Sequence, residues 1–80
     1  MEIQLKLYAS LGRYTPDQSD GKSPGMMGIH EGTTVRDMIE RLGIPNEAVK
    51  IIFLNGIHAK EGDRLKDGDR LAIFPPVAGG

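Results

Sequence analysis

The side chains of this 80-residue chain offer few candidates for catalysis or metal binding, and none of them is a cysteine. A thiolate nucleophile, a thiolate metal site, a disulfide bond and a side-chain persulfide are all excluded. No Ser/His/Asp arrangement or phosphate-binding loop followed by Lys-Ser/Thr is present either. We interpret His30 and His58 as surface histidines, since no cysteines or clustered carboxylates accompany them. Asp63, Asp67 and Asp69 lack the distal glutamate of a calcium loop and are read as turn residues.

The carboxyl end offers a different reactive group. The sequence closes with Pro75-Pro76 and then Val77-Ala78-Gly79-Gly80. A carboxylate is a poor electrophile until its oxygen becomes a good leaving group, so a reactive terminus needs an activating partner. Two glycines fit a narrow active site because they present no Cβ, and the proline pair favours extended backbone. We therefore predict a folded domain over residues 1–74 and an extended reactive tail over residues 75–80, with a frayed chain end as the alternative.

The domain that must hold this tail begins with a strand. Ile3, Leu5 and Leu7 alternate with polar residues, which is the period-two pattern of a half-buried strand over about residues 2–8. Asn55-Gly56 predicts a two-residue hairpin, because both residues tolerate positive φ angles. The other predicted strands cover residues 26–30, 50–54, 57–59 and 71–74.

One amphipathic helix is predicted in the middle of the chain. Thr34 can cap its first turn, and Asp37, three residues on, can bond back. Apolar residues then recur on a single helical face, at Val35, Met38, Ile39 and Leu42. Gly43 supplies a left-handed stop and Pro45 prevents continuation, so the helix covers about residues 34–42.

The order of these elements, β-β-α-β-β-β, is typical of an α+β domain. A mixed sheet of about five strands should pack one face against the helix. The first and last strands, both alternating and apolar, are the predicted central pair. Between the first two strands, Tyr14 to Gly25 holds Thr-Pro-Asp, Asp-Gly and Ser-Pro-Gly and almost nothing apolar, which predicts a long surface loop.

Strand parity gathers four ring-bearing side chains on one face of the sheet. The inward positions of the first and last strands put Tyr8 and Phe74 outward. In a two-residue hairpin Leu54 faces Ile57, and Phe53 faces His58. If Leu54 and Ile57 pack on the helix, Phe53 and His58 lie on the open face of the sheet. The four would form a row across four adjacent strands, beside the root of the tail. Such a row suggests a protein docking surface, and rings that merely cover loop edges are the alternative.

Composition narrows the class of protein. With 39% hydrophobic and 26% charged residues, the chain reads as one ordinary globular domain. A net charge of −1 without a basic block argues against nucleic acid and anionic membranes as partners. No apolar run approaches the ~20 residues needed to span a bilayer, and we expect a cytosolic protein. Arg13, Arg64 and Arg70 are read as solvated surface charges, with acidic residues of a partner as the alternative.

A family resemblance runs through the whole chain. Asp67-Gly68-Asp69, followed by a strand and Phe-Pro-Pro-Val-Ala-Gly-Gly as the last seven residues, resembles the small subunit of molybdopterin synthase. That family also holds the thiamine sulfur carrier, and its fold is the ubiquitin-like β-grasp. The opening strand ending in Tyr8-Ala9, the helix after Thr33-Thr34-Val35 and the Asn55-Gly56 hairpin fit the same pattern. The proline pair favours the molybdopterin-type member.

The resemblance implies a reaction and its partners. An ATP-dependent adenylating enzyme would activate Gly80, and sulfur would displace AMP to leave a thiocarboxylate, with a sulfurtransferase or cysteine desulfurase as a further candidate partner. The large subunit of molybdopterin synthase would then take the sulfur. The chain would be a co-substrate more than an enzyme, and would bind no cofactor, because ATP is consumed by the partner. The family's partner-binding face falls at positions matching Tyr8, His58 and Phe74, whereas Phe53 rests on parity alone.

Three other functions stay open from the sequence. The chain would serve as a sulfur carrier for thiamine, cysteine or a tungsten-type pterin, as a ubiquitin-like modifier joined to target lysines, or as a plain interaction scaffold. Conjugation would show as lysine-linked ladders in cells, and a scaffold would be indifferent to loss of Gly80.

Overall fold

The computed structural model describes residues 1–15 and 25–76. Most of the predicted surface loop, residues 16–24, lies outside the described residues, as do Val77, Ala78, Gly79 and Gly80 of the predicted tail. Within the two described ranges, no helix is long and apolar enough to cross a bilayer.

One mixed sheet organises the domain. Its strands are β1 (Glu2–Leu7), β2 (Met26–Gly28), β3 (Ile51–Leu54), β4 (Ile57–His58) and β5 (Arg70–Phe74). They lie in the order β2-β1-β5-β3-β4, with β1 and β5 parallel and the other pairs antiparallel. The first and last strands are therefore the central pair, as predicted, and all five predicted strands are confirmed to within two residues.

The helix, α1 (Val35–Leu42), begins and ends as its sequence predicts. The Thr34 side chain accepts a hydrogen bond from the Asp37 backbone at 3.2 Å, and the Asp37 carboxylate accepts one from the Thr34 backbone at 3.0 Å. This reciprocal pair satisfies two N–H groups that a helix start leaves free. Gly43 follows with φ of 76°, the left-handed conformation that stops a helix.

The core lies between α1 and one face of the sheet. Ile3, Leu71 and Ile73 of the central strands are almost completely buried. Val35, Met38 and Ile39 of α1 pack into the same cluster. Leu42, the fourth residue of the predicted apolar helix face, packs against it while partly exposed. Alternation along β1 and β5 thus fills one side of the sheet. No helix among the described residues covers the opposite side, here called the outer face.

A 3₁₀ segment over Ala9–Tyr14 is an element that the sequence analysis did not assign. It begins directly after Tyr8, where Ala9 has a φ of 51°. The turn buries Leu11 in the core and packs Tyr14 against it. Its sequence has no helical periodicity long enough to recognise, because a six-residue segment needs only one inward residue.

Gly25 opens the second described range at a point of close backbone approach. Its carbonyl accepts a hydrogen bond from the Leu5 amide at 2.6 Å. A Cβ on Gly25 would lie 2.9 Å from the Leu5 carbonyl oxygen, and its φ is 83°. Both observations require glycine, so the entry to β2 tolerates no side chain.

Candidate functional site: the outer face of the sheet

The outer face carries the ring-bearing residues that strand parity predicts there. Tyr8 follows β1, Phe74 ends β5, Phe53 lies in β3 and His58 in β4, so the four occupy adjacent strands. The register pairs Phe53 with His58 across the hairpin. We call these four residues the aromatic row.

Ring contacts make the aromatic row continuous. Tyr8 and Phe74 stack with centroids 4.2 Å apart and planes 7° from parallel. Phe74 meets Phe53 edge to face at 5.7 Å, and Phe53 meets His58 in the same manner at 4.6 Å. Tyr8 is 36% exposed, His58 is exposed, and the two phenylalanines are half-buried. The predicted row therefore exists as one connected surface, with each ring held by its neighbour.

The hairpin that carries Phe53 and His58 has the predicted turn. Asn55 and Gly56 have φ of 56° and 81°, the positive pair that a two-residue hairpin with native twist requires. The neighbouring pair, Leu54 and Ile57, departs from simple parity. Leu54 packs against the core, whereas Ile57 is 72% exposed, because β4 lies at the sheet edge with only two residues.

A shallow groove lies next to the aromatic row on the outer face. Three of the rings line it, together with Gln4, Lys6, Gly56, Arg70 and Ala72. Ala72 lies between Lys6 of β1 and Phe53 of β3 in the strand register, so a small side chain forms the floor. Sequence reasoning did not find this groove, because its walls come from strands far apart in the chain.

A buried carboxylate lies just before β5, outside the lining of the groove. Asp69, only 8% exposed, accepts hydrogen bonds from the Asn55 side-chain amide at 2.9 Å and from the Lys66 backbone at 2.7 Å. Asn55 in turn accepts from the Arg70 backbone through its side chain at 2.9 Å, and donates its own backbone N–H to the Arg70 carbonyl at 2.8 Å. The hairpin turn is thereby tied to the start of β5. Asp69 is read from sequence as a turn residue, and its link to Asn55 was missed.

The other two aspartates also accept backbone hydrogen bonds, Asp63 within its own turn and Asp67 from the distant start of β1. The Asp63 carboxylate accepts from the Lys60 backbone at 2.9 Å, and the Asp67 carboxylate accepts from the Glu2 backbone at 2.8 Å. Among the described residues, no group of three or more His, Cys, Asp or Glu side chains is arranged to hold a metal ion.

The root of the tail adjoins the aromatic row directly. Phe74 is the last residue of β5, and its carbonyl accepts the Lys50 amide at 2.9 Å. Pro75, half-buried, and Pro76, exposed, follow and lie outside the strand. Pro75 and Pro76 cannot donate to a sheet ladder, so the pairing of β5 ends at this point. The chain therefore leaves the sheet beside Phe74, which lies between Tyr8 and Phe53 in the aromatic row.

Within the described residues, a mixed five-stranded sheet packs one face against the helix α1 and has its parallel first and last strands at the centre, which is the ubiquitin-like β-grasp fold. Comparison with known proteins identifies the group within that fold. The model of the ThiS family matches residues 26–80, more than half of the chain. The chain belongs to the ThiS family and is a sulfur carrier of that family.

Solved structures share the fold over all or nearly all of the chain. SAMP1 from Haloferax volcanii is 24% identical, with a TM-score of 0.71 and complete coverage of both chains. A putative molybdopterin converting factor, subunit 1, from Pyrococcus furiosus is 26% identical, with a TM-score of 0.67 over 95% of this chain and 98% of that one. A complex of subunits 1 and 2 of the molybdopterin-converting factor from Helicobacter pylori contains a chain that is 19% identical, with a TM-score of 0.59 and complete coverage of both.

Proposed function

We propose that this chain donates sulfur in molybdopterin biosynthesis from a thiocarboxylate on Gly80. Residues 1–74 act as the folded carrier and residues 75–80 as the arm that enters partner active sites. An ATP-dependent adenylating enzyme activates the carboxylate, and the large subunit of molybdopterin synthase receives the sulfur. We place this cycle in the cytoplasm, where the ATP-using partner works.

Membership of the ThiS family carries the proposal, because the matched residues include the whole arm. The likeness to subunit 1 of a molybdopterin converting factor from Pyrococcus furiosus supports the pterin branch. The Helicobacter pylori structure, in which a chain of this fold is complexed with subunit 2, supports a large-subunit partner.

The proposed chemistry needs little from the domain itself. The Gly80 carboxylate attacks the α-phosphate of ATP in the partner, pyrophosphate leaves, and an acyl-adenylate forms. The outer sulfur of a persulfide on a sulfurtransferase or cysteine desulfurase then attacks the acyl carbon, and the bond to AMP breaks. A thiol reductant cleaves the S–S bond of the resulting acyl disulfide, becomes oxidised to a disulfide with the donor, and leaves the thiocarboxylate on Gly80. Gly79 and Gly80 keep the arm narrow, and Pro75 and Pro76 limit the backbone entropy lost when it is threaded.

The aromatic row supplies the docking surface in this proposal. Interfaces are enriched in aromatic residues, and a few such anchors carry most of the binding energy. Tyr8, Phe53, His58 and Phe74 are already fixed against one another, so binding orders few further side chains. Because Phe74 precedes Pro75, a partner that covers the row receives the arm at a defined place.

The same activated terminus suits a protein modifier, since a lysine amine can attack an acyl-adenylate or a thioester in place of sulfur. The Gly79-Gly80 ending is the observation that favours a protein modifier as the second candidate function. The two functions differ in product. A carrier yields a thiocarboxylate, and a modifier yields an amide bond to lysine.

Adenylation gives the test. The purified chain, the adenylating enzyme from the same organism and ATP should release pyrophosphate in proportion to the chain added. The variant that lacks Gly80 should release none, while its unfolding transition stays unchanged. Equal pyrophosphate release from the two proteins would show that Gly80 is not the residue that is adenylated, and would refute the proposal.

A further inference from the structure

The charged residues that line the groove beside the aromatic row are all positive. Among the described residues that line it, Lys6 and Arg70 are cationic and none is acidic. The chain as a whole has a net charge of −1, so this local excess of positive charge runs against the composition. Within the described part of the chain, neither cation forms an ion pair, whereas Arg36 pairs with Glu61 on the other side of the molecule.

The two cations are close and their backbones are fixed. The register places Lys6 opposite Ala72 and Arg70 opposite Gln4, so Lys6 and Arg70 are diagonal neighbours on the two central strands. The Asn55 side chain accepts the Arg70 amide at 2.9 Å and anchors the start of β5. Like charges on neighbouring positions of one sheet face repel, and an anion bound between them would relieve that repulsion.

Together these features define what the groove accepts. We propose that the groove between Lys6 and Arg70 binds a carboxylate side chain of the protein partner, with an apolar partner residue beside it on Ala72 and the aromatic row. This inference rests on the proposed function, since it describes the partner surface that the docking row meets. The cations orient the partner and raise the association rate, and the rings hold the complex.

The surroundings favour a protein carboxylate over a nucleic-acid phosphate. A nucleic-acid backbone needs a basic track that continues beyond one site. Here the cationic groove ends at the rings on one side, and the net charge of the chain is −1. One acidic side chain of the partner would lie between the two cations of the groove. An apolar partner residue next to it would contact the three rings and Ala72.

The experiment compares two double variants with the same change in charge. Lys6→Gln with Arg70→Gln removes the groove cations. Arg36→Gln with Arg64→Gln removes two exposed cations outside the groove. Arg36 lies on α1, and the backbone of Arg64 forms a β-bridge with Thr34, which caps the start of that helix. Each is titrated with the purified adenylating enzyme and with the purified large subunit of molybdopterin synthase, at about 0.05 M and about 0.5 M salt.

For at least one partner, the groove variant should bind at least about tenfold more weakly than wild type at low salt, mainly through slower association. The same variant should lose most of the salt dependence that wild type shows, because the screened charges are gone. The control variant should keep wild-type affinity and salt dependence. All three proteins should unfold at similar temperatures, since these side chains are exposed and the Arg36–Glu61 ion pair that the control loses lies at the surface, where such pairs contribute little.

Equal affinity of the groove and control variants for both partners would overturn the inference, as would failure of wild type to bind either partner. Tighter binding of a single-stranded oligonucleotide than of either protein would overturn it in favour of a nucleic-acid site. The proposed function is judged separately, by whether a sulfur atom replaces oxygen on Gly80 in cells. A chain that carries sulfur but docks without Lys6 and Arg70 therefore refutes the inference alone.

Discussion

Phe74→Ala separates docking from folding, because Phe74 lies on the outer face and its neighbour Ile73 lies in the core. Phe74 is half-buried and contacts Tyr8 at 4.2 Å and Phe53 at 5.7 Å. Each aromatic pair contributes about 0.5–1.5 kcal/mol beyond area burial, so truncation should lower the free energy of unfolding by about 2 kcal/mol. A fully buried ring would cost about 3–5 kcal/mol.

The loss of binding should be at least as large. An aromatic anchor at an interface commonly contributes about 2 kcal/mol or more, which weakens affinity about thirtyfold. Ile73→Val is the matched control, because Ile73 is completely buried one residue away and points to the opposite side of the sheet. It should lower the free energy of unfolding by about 1 kcal/mol and leave the affinity of the folded protein unchanged.

Two measurements give the comparison. Urea denaturation reports the free energy of unfolding of each variant, and calorimetric titration with the large subunit reports the dissociation constant under conditions where each variant is folded. The reasoning about the outer face is refuted if Phe74→Ala destabilises by about 4 kcal/mol and binds normally, since that combination describes a core residue.

Four further changes test the arm and the scaffold. Deleting Gly80, or adding one residue after it, should abolish sulfur transfer with an unchanged melting temperature; retained transfer would refute the carrier role. Gly79→Val should be equally inactive, because a β-branched side chain widens the arm and restricts its backbone, and a wild-type adenylation rate would contradict the threading argument. Asp69→Ala should cost about 2 kcal/mol of stability in urea denaturation, since the Asn55 amide and the Lys66 N–H lose their acceptor. Gly25→Ala should lower the melting temperature, because its Cβ would lie 2.9 Å from a carbonyl oxygen, and an unchanged value would contradict the close approach.

Local features of the fold were predictable because short-range chemistry decides them. Alternation of Ile3 and Leu5 gives β1, and the Thr34–Asp37 capping box gives the helix start. Asn55-Gly56 gives the hairpin turn. The aromatic row followed from strand parity together with the hairpin pairing of Phe53 and His58, since side chains alternate between the two faces of a sheet.

Features that depend on lateral packing were not predictable from the sequence. The groove requires the register of β1 on β5, which no local pattern encodes. Ile57 is exposed although parity places it on the helix side, because α1 does not cover the edge strand. Leu11 reaches the core through a short 3₁₀ turn whose sequence has no readable period. The Asn55–Asp69 hydrogen bond joins residues 14 apart and appears only once the hairpin meets β5.

Intact mass spectrometry of the protein purified from its own cells tests the central claim most directly. Top-down fragmentation should show a population whose mass is raised by the difference between sulfur and oxygen, with the change confined to the last fragment, Gly80. Treatment with iodoacetamide before analysis should add one carbamidomethyl group to that population, because the chain has no cysteine to compete for the reagent. A chain of unmodified mass accompanied by lysine-linked conjugates would contradict the sulfur carrier and identify a protein modifier instead.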